Sequence, residues 1–275
     1  MEVTARELVI EPGRRARHYW QDLWRYRELL FFLAWRDVQV RYKQAVLGVA
    51  WAVVQPLVTM ALFTFVFGTL AGMQSGATPY PLLVLAGLLP WQLFAGAFTG
   101  ASGSLVSNAN LISKVYFPRL VVPLAAVVVA VIDFGVVLGL YGVFAAWFGV
   151  WPTWRVLALP VFTAFALVVA LGAGLWLTAL SVRFRDFRLF APFLLHVGVI
   201  VTPVGFRADA FAQWHDVLAL NPLTGVIDGF RWCLLVGDYT LEPLAVTTSL
   251  VAGLALLTSG LWIFRKTERT FADLI

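Results

Sequence analysis

From residue 44 to residue 113 the chain contains no Asp, Glu, Lys or Arg. A transmembrane helix needs about 20 apolar residues, so this neutral run has room for two such helices and the loop between them. The rest of the chain agrees: 61% of its residues are hydrophobic and 13% charged, where soluble domains carry roughly 45–50% and ~25%. One soluble core cannot bury that excess, and lipid is the expected solvent. The expected fold class is an all-α membrane protein.

Hydropathy places six spans, at about Val46–Leu70, Leu82–Val106, Val121–Phe148, Val156–Val182, Leu189–Gly205 and Leu244–Phe264. Residues 1–44 form a cytosolic N-terminal segment and residues 45–275 the transmembrane domain. No apolar run follows the first basic residues, so no secretory signal is expected. Between Trp20 and Gln44, charges interrupt the chain too often for a span. Trp20, Leu23, Trp24, Leu30, Phe31 and Trp35 still keep one apolar side along a helix. That pattern fits a helix lying in the cytoplasmic interface, where it can also serve as a docking surface.

The loops set the orientation. Lys114 and Arg119 follow span two, Arg183, Arg185 and Arg188 follow span four, and Arg265, Lys266 and Arg269 follow span six. The intervening loops carry little positive charge, and Trp147, Trp151 and Trp154 cluster in one of them as an aromatic belt would. The positive-inside rule then puts both termini in the cytosol. With a formal net charge of +5, the basic residues flank apolar spans and suit anionic head groups; no nucleic-acid partner is expected.

The segment Phe206–Leu241 is too polar for a span. Asn221 and Pro222 mark a helix start and Gly237 its end. Leu223, Ile227, Phe230 and Leu234 recur at helical spacing, with Asp228 and Arg231 between them. Such a helix has ~14 residues, about 21 Å at 1.5 Å per residue, too short to cross a core of ~30 Å. Residues 208–220 form a second short helix bearing Asp209 and Asp216. The pair either enters the outer leaflet and returns or lies flat on the outer surface.

The chain has no G-x-x-x-x-G-K-[ST] loop for a nucleotide phosphate, no metal-ligand spacing of His and Cys, and no Gly-x-Ser-x-Gly elbow. His18, His196 and His215 sit in different regions, and the lone Cys233 reads as a packed hydrophobe. Asp209, Asp216, Asp228 and Asp238 read either as a carboxylate site or as solvated helix faces and caps. Asp133 is the one acid near the middle of a span; it should face protein or water, as a pathway lining or an interhelical hydrogen bond, and no intramembrane Lys or Arg partner is evident. In span one, Trp51, Gln55, Thr59 and Phe63 recur at spacing four. In span two, Gln92, Gly96, Thr99, Gly103 and Ser107 recur at spacings of four and three. Such stripes pack helices or line a passage, where aromatics stack on sugars and amides and hydroxyls bond to them. Between spans two and three, a short helix capped near Ser107, Asn108 or Asn110 and stopped by Pro118 is a rigid cytosolic handle.

Four segments, in their order and spacing, resemble the ABC-2-type permeases that export polysaccharides, the O-antigen permeases in particular. They are RYKQAVLGVAWAVVQPL (Arg41–Leu57), LISKVYFPRLVVPLA (Leu111–Ala125), VRFRDFRLFAPFLL (Val182–Leu195) and NPLTGVIDGFRWCLL (Asn221–Leu235). The TPVGFR stretch after span five departs from the family pattern. The resemblance implies a homodimer of six-span subunits in the bacterial inner membrane, with two separate ABC ATPase subunits on the cytosolic side. ATP and Mg would belong to those partners, and this chain would hold no cofactor or metal. It implies a coupling helix over Leu111–Phe117, with Asn110, Leu111, Ile112, Lys114, Tyr116, Phe117 and Arg119 as the contact set. It implies re-entrant outer helices carrying Asn221, Pro222, Asp228 and Arg231, and a cargo of polysaccharide on an undecaprenyl diphosphate. Arg36, Arg41 and Lys43 stand where the diphosphate would arrive, and charge-assisted contacts would favour it there. Trp51, Gln55, Thr59, Phe63 and Gln92 would line the glycan route. The rivals are a membrane enzyme acting on polyprenyl-linked glycans and a nucleotide-independent carrier.

Overall fold

The computed structural model describes residues 15–43, 48–208, 213–237, 239–268 and 271, with the side chains of residues 15–18, 43, 48, 49, 185 and 215 outside that description. Asp209, Asp238 and Arg269, and the side chains of Lys43, His18, His215 and Arg185, therefore lie outside the described residues. Among the described residues there are helices and turns and no strand.

The N-terminal region forms α1 (Arg15–Arg25) and α2 (Arg27–Lys43). Tyr26 interrupts them, yet its N–H still bonds to Asp22 O and its carbonyl accepts from Leu30 N at 3.1 Å. Helix α3 (Gly48–Phe63) contains Pro56 and runs into a π-helical stretch, Thr64–Leu70. Then come α4 (Tyr80–Ser107), the short α5 (Ala109–Lys114) and α6 (Val121–Trp147). Helix α7 (Leu159–Arg183) is entered through the 3-10 turn Trp154–Ala158, and α8 (Phe190–Val201) through Arg185–Leu189. The chain closes with α9 (His215–Ala219), α10 (Thr224–Leu234) and α11 (Pro243–Thr267).

Among the described residues five helical segments are long and apolar enough to cross a membrane: Ala50–Leu70, Tyr80–Ser107, Val121–Trp147, Trp154–Arg183 and Pro243–Thr267. The expected fifth span, Leu189–Gly205, is shorter than the sequence suggests. Its helix has 12 residues and ends at Val201. Thr202 precedes Pro203, which disfavours the helical region for it, and Thr202 is extended at φ −87°, ψ 137°.

Helices α4, α6, α7 and α11 form the bundle; α7 packs on α11, and α4 on both α6 and α7. With little hydrophobic force between helices in lipid, close approach depends on small residues. A Cβ at Gly172 would stand 2.5 Å from Leu257 N, and one at Gly260 2.5 Å from Gly172 O. Gly174 meets Ala101 in the same way, at 2.8 Å.

The core divides by end. One cluster joins Leu33, Leu105, Ile112, Phe117, Leu120, Val182 and Phe264. The other joins Leu85, Tyr141, Phe162, Val204, Ile227, Phe230 and Leu234. Arg36, Lys114, Arg119, Arg183, Arg188, Arg265 and Lys266 accompany the first end.

Candidate functional site

At the basic end, α4 turns into α5 over a single residue. Asn108 N–H bonds to Ser104 and Leu105 carbonyls at 3.2 Å, and its carbonyl accepts from Leu111 N and Ile112 N. Its side-chain amide donates to Ser104 O at 2.9 Å, while Arg36 Nη2 donates to its Oδ1 at 2.7 Å. The expected short helix is thus present, though it ends at Lys114, before Tyr116 and Phe117, and α2 holds its hinge.

The expected contact set divides by direction. Asn110, Lys114 and Tyr116 are exposed and Leu111 half-buried. Ile112 and Phe117 instead point inward and are 5% and 3% exposed, packed with Leu33, Leu105 and Leu120. Arg119 is half-buried; its N–H donates to Glu268 Oε1 at 2.9 Å and its guanidinium to Glu268 O. The guanidinium also lies 5.9 Å from the Phe271 ring, which is buried against Phe264. Tyr26 Oη reaches Tyr116 O at 3.4 Å, and Arg265 stacks 4.7 Å over Tyr19. Burial holds the Glu268 carboxyl above its ordinary value, against the pull of Arg119, Tyr19 and Arg265. Burial, and next the charge of Glu268, push the Tyr19 hydroxyl up. Sequence reasoning missed Tyr19, Glu268 and Phe271, since each acts through a partner far away in the chain.

The second group lies where α2 runs beside α6. Arg41 Nη1 stands 2.8 Å from Asp133 Oδ2, and Tyr42 Oη donates to Asp133 Oδ1. Asp133 therefore has the basic partner that the sequence left unidentified, and it serves as an interhelical tie. Asp133 lies twelve positions after Val121, about 18 Å of helix, so the end of α2 reaches well along the span. Arg36 is engaged too, with Nε and Nη2 at 2.9 and 2.7 Å from Asp37 Oδ1.

The α3 stripe faces outward at its start and packs inward at its end, where Phe63 lies against Gly205. Trp51 is 64% exposed and Gln55 exposed, while Thr59 and Phe63 are half-buried. Thr59 Oγ1 donates to Gln55 O at 2.9 Å, and Phe63 meets Phe67 edge-on at 5.6 Å. Gln92 is half-buried on α4. The second stripe splits. Gly96 packs toward Ala130, but Gly103 faces open space and Thr99 and Ser107 are exposed. The neighbouring Gly100, outside the stripe, is what meets Ala126.

At the other end α10 is inserted among α4, α7 and α11. It begins at Thr224, two residues later than the expected start at Pro222, and has 11 residues. Asn221 does not cap it. Its Oδ1 accepts from Leu223 N at 3.0 Å and its Nδ2 donates to Thr202 Oγ1 at 2.9 Å, which joins two loops. Pro222 is half-buried in that turn, and so is Asp228 one helical turn before Arg231. Arg231 is fully buried and donates to Val204 O and Phe206 O, both at 2.9 Å. A cation so deeply placed is tolerable only with such partners. Beside this end, an apolar cavity of about 350 Å³ is lined by Trp91, Phe94, Phe98, Phe193, Gly198 and Leu256. Among the described residues no group of three His, Cys, Asp or Glu side chains is placed to hold a metal.

The ABC-2 type transporter family matches residues 28–235, from α2 to the residue after α10. An O-antigen export system permease protein RfbA of Klebsiella pneumoniae is 28% identical over 251 residues, covering 90% of this chain and 95% of the relative. The protein of the same name in Myxococcus xanthus is 28% identical over 261 residues, 93% and 98% of the two chains. The polysialic acid transport protein KpsM of Escherichia coli is 21% identical over 239 residues, 85% and 91%. The match takes in the α5 handle, the Arg41–Asp133 tie and the inserted α10 alike, and the chain belongs to the ABC-2 type transporter family.

Proposed function

We propose that this chain is the permease subunit of an ABC transporter that exports a polysaccharide linked to undecaprenyl diphosphate across the bacterial inner membrane. The observation that carries the reading is likeness along nearly the whole chain to permeases named for O-antigen export. A relative named for polysialic acid transport widens the cargo to polysaccharides as a class. The chain has no phosphate-cradling glycine loop, so ATP and Mg belong to a separate ATPase subunit. Two permease copies and two ATPases form the working unit.

The basic end faces the cytosol, by the positive-inside rule. Helix α8, extended by its 3-10 turn, is then the fifth of six spans, and α9 with α10 is the re-entrant pair. Helices α1 and α2 follow the cytosolic boundary before α2 joins the bundle. ATP closure presses on the exposed Asn110, Lys114 and Tyr116. Ile112 and Phe117, buried in the same core as Leu105 and Leu120, transmit that push to α4 and α6. The diphosphate arrives near Arg36, Arg41 and Lys43, and the glycan passes along surfaces carrying Trp51, Gln55, Thr59, Phe63 and Gln92.

The test is reconstitution with the cognate ATPase, reading ATP turnover and export of the lipid-linked polymer together. Lys114→Glu should leave the subunit folded and weaken ATPase docking and coupling. Unchanged docking and unchanged export in that variant would move the handle elsewhere.

A further inference from the structure

We propose that Arg41, Tyr42 and Asp133 form an anion site occupied by the chain's own carboxylate, which an incoming polyprenyl diphosphate displaces. The proposal rests on the functional reading above and goes further by naming the internal competitor. Both carboxylate oxygens of Asp133 are engaged, one by the Arg41 guanidinium at 2.8 Å and the other by the Tyr42 hydroxyl. Two donors on one helix end, aimed at two oxygens of a single anion, also suit a phosphoryl group. Guanidinium forks match phosphate as they match carboxylate.

The two partners differ in freedom. The Asp133 side chain is 21% exposed and fixed on a long helix, whereas that of Arg41 is 57% exposed. Arg41 can therefore turn toward a second anion while Asp133 cannot follow. A carboxylate this far along an apolar span needs its partners, so the empty site closes on itself. A diphosphate offers more charge and more acceptor oxygens, and it can compete for both donors.

Exchange has a mechanical consequence. Helix α2 is tied to α6 through Arg41 and Tyr42, and to the α5 hinge through Arg36 and Asn108. Releasing the first tie frees the rod that holds the second. Site occupancy is thereby reported to the surface on which the ATPase would press.

The experiment uses the permease–ATPase complex in nanodiscs and radiolabelled geranylgeranyl diphosphate, with geranylgeranyl monophosphate and phosphatidylglycerol as separate arms. Since a competitor reduces the fraction of site available, Asp133→Asn should bind the diphosphate about tenfold more tightly. Asp133→Ser serves if the amide variant does not assemble. Arg41→Ala should bind at least about tenfold more weakly, and the double variant should behave like Arg41→Ala. The opposite signs are decisive, because a merely structural tie would make both single variants fail alike. Equal losses in both, or no change in either, overturns the proposal, as does equally tight binding of phosphatidylglycerol. If wild-type export is nucleotide-driven while these affinities stay flat, this site fails and the transporter reading stands. If no nucleotide-driven export occurs at all, the transporter reading itself fails.

Discussion

Three individual residues carry separable consequences. Glu268 is held above its ordinary pKa by burial. The sign follows from linkage: a carboxyl raised in the folded state costs stability above that raised value and nothing below the unfolded value, 4.5 for an ordinary carboxyl of this type. The corner formed by Tyr19, Arg119 and Glu268 should therefore gain stability as pH falls through that window. Glu268→Gln keeps an acceptor for Arg119 N–H and removes the slope. Apparent melting of the reconstituted protein between pH 7 and pH 5 checks this, and a steeper pH dependence in the variant would contradict it. Gly229 and Gly103 make a contrasting pair. A Cβ at Gly229 would stand 2.1 Å from the Phe162 ring, whereas Gly103 has open space. Overpacking costs about 1–3 kcal/mol, so Gly229→Ala should lower the melting temperature. Gly103→Ala lies inside α4 near its end, exchanges a poor helix former for a good one and should leave it level or higher.

At the scale of elements, α5 is a two-sided piece. Lys114→Glu acts on the exposed side and should reduce coupling without lowering thermal stability. Ile112→Asp places a carboxylate in a core residue's position and should unfold the basic end, seen as a lower melting temperature and lost ATPase co-purification. The same outcome for both variants would mean that α5 has no free face. How much of these elements could be read beforehand depended on the range of the forces involved. The four bundle helices were legible because each is a long apolar run, broken only by Asp133 in α6. Helix α8 was overextended because hydropathy continues past Val201, while the backbone is ended by Pro203 and held by Arg231 through Val204 and Phe206 carbonyls. Asn221 carried the correct turn chemistry but bridges to Thr202 rather than capping α10. Asp133 was visible as an anomaly; its partner was not, since Tyr42 lies 91 positions earlier, on a helix read as lying in the interface.

Across the whole molecule, the two ends of the bundle are specialised. The basic end gathers the N-terminal helices, the α5 handle and the end of α11 around one buried cluster. The other end inserts α10 and clamps its loops with Arg231. Helices α4, α6, α7 and α11 connect the two ends, with α4 packed on α6 and α7 and α7 on α11. Replacing Arg231 with Met keeps bulk and deletes the clamp. The loop at Val204–Phe206 should then lose protection in hydrogen exchange while ATPase docking at the far end persists. Loss of docking in that variant would show that the two ends are not separable. The central claim is that this subunit supplies a path and its partner the force, and proteoliposome export measures it directly. Vesicles holding the permease with its ATPase should move undecaprenyl-diphosphate-linked polymer only when ATP hydrolysis proceeds, and vesicles holding the permease alone should move none. Sustained export by the permease alone would contradict it.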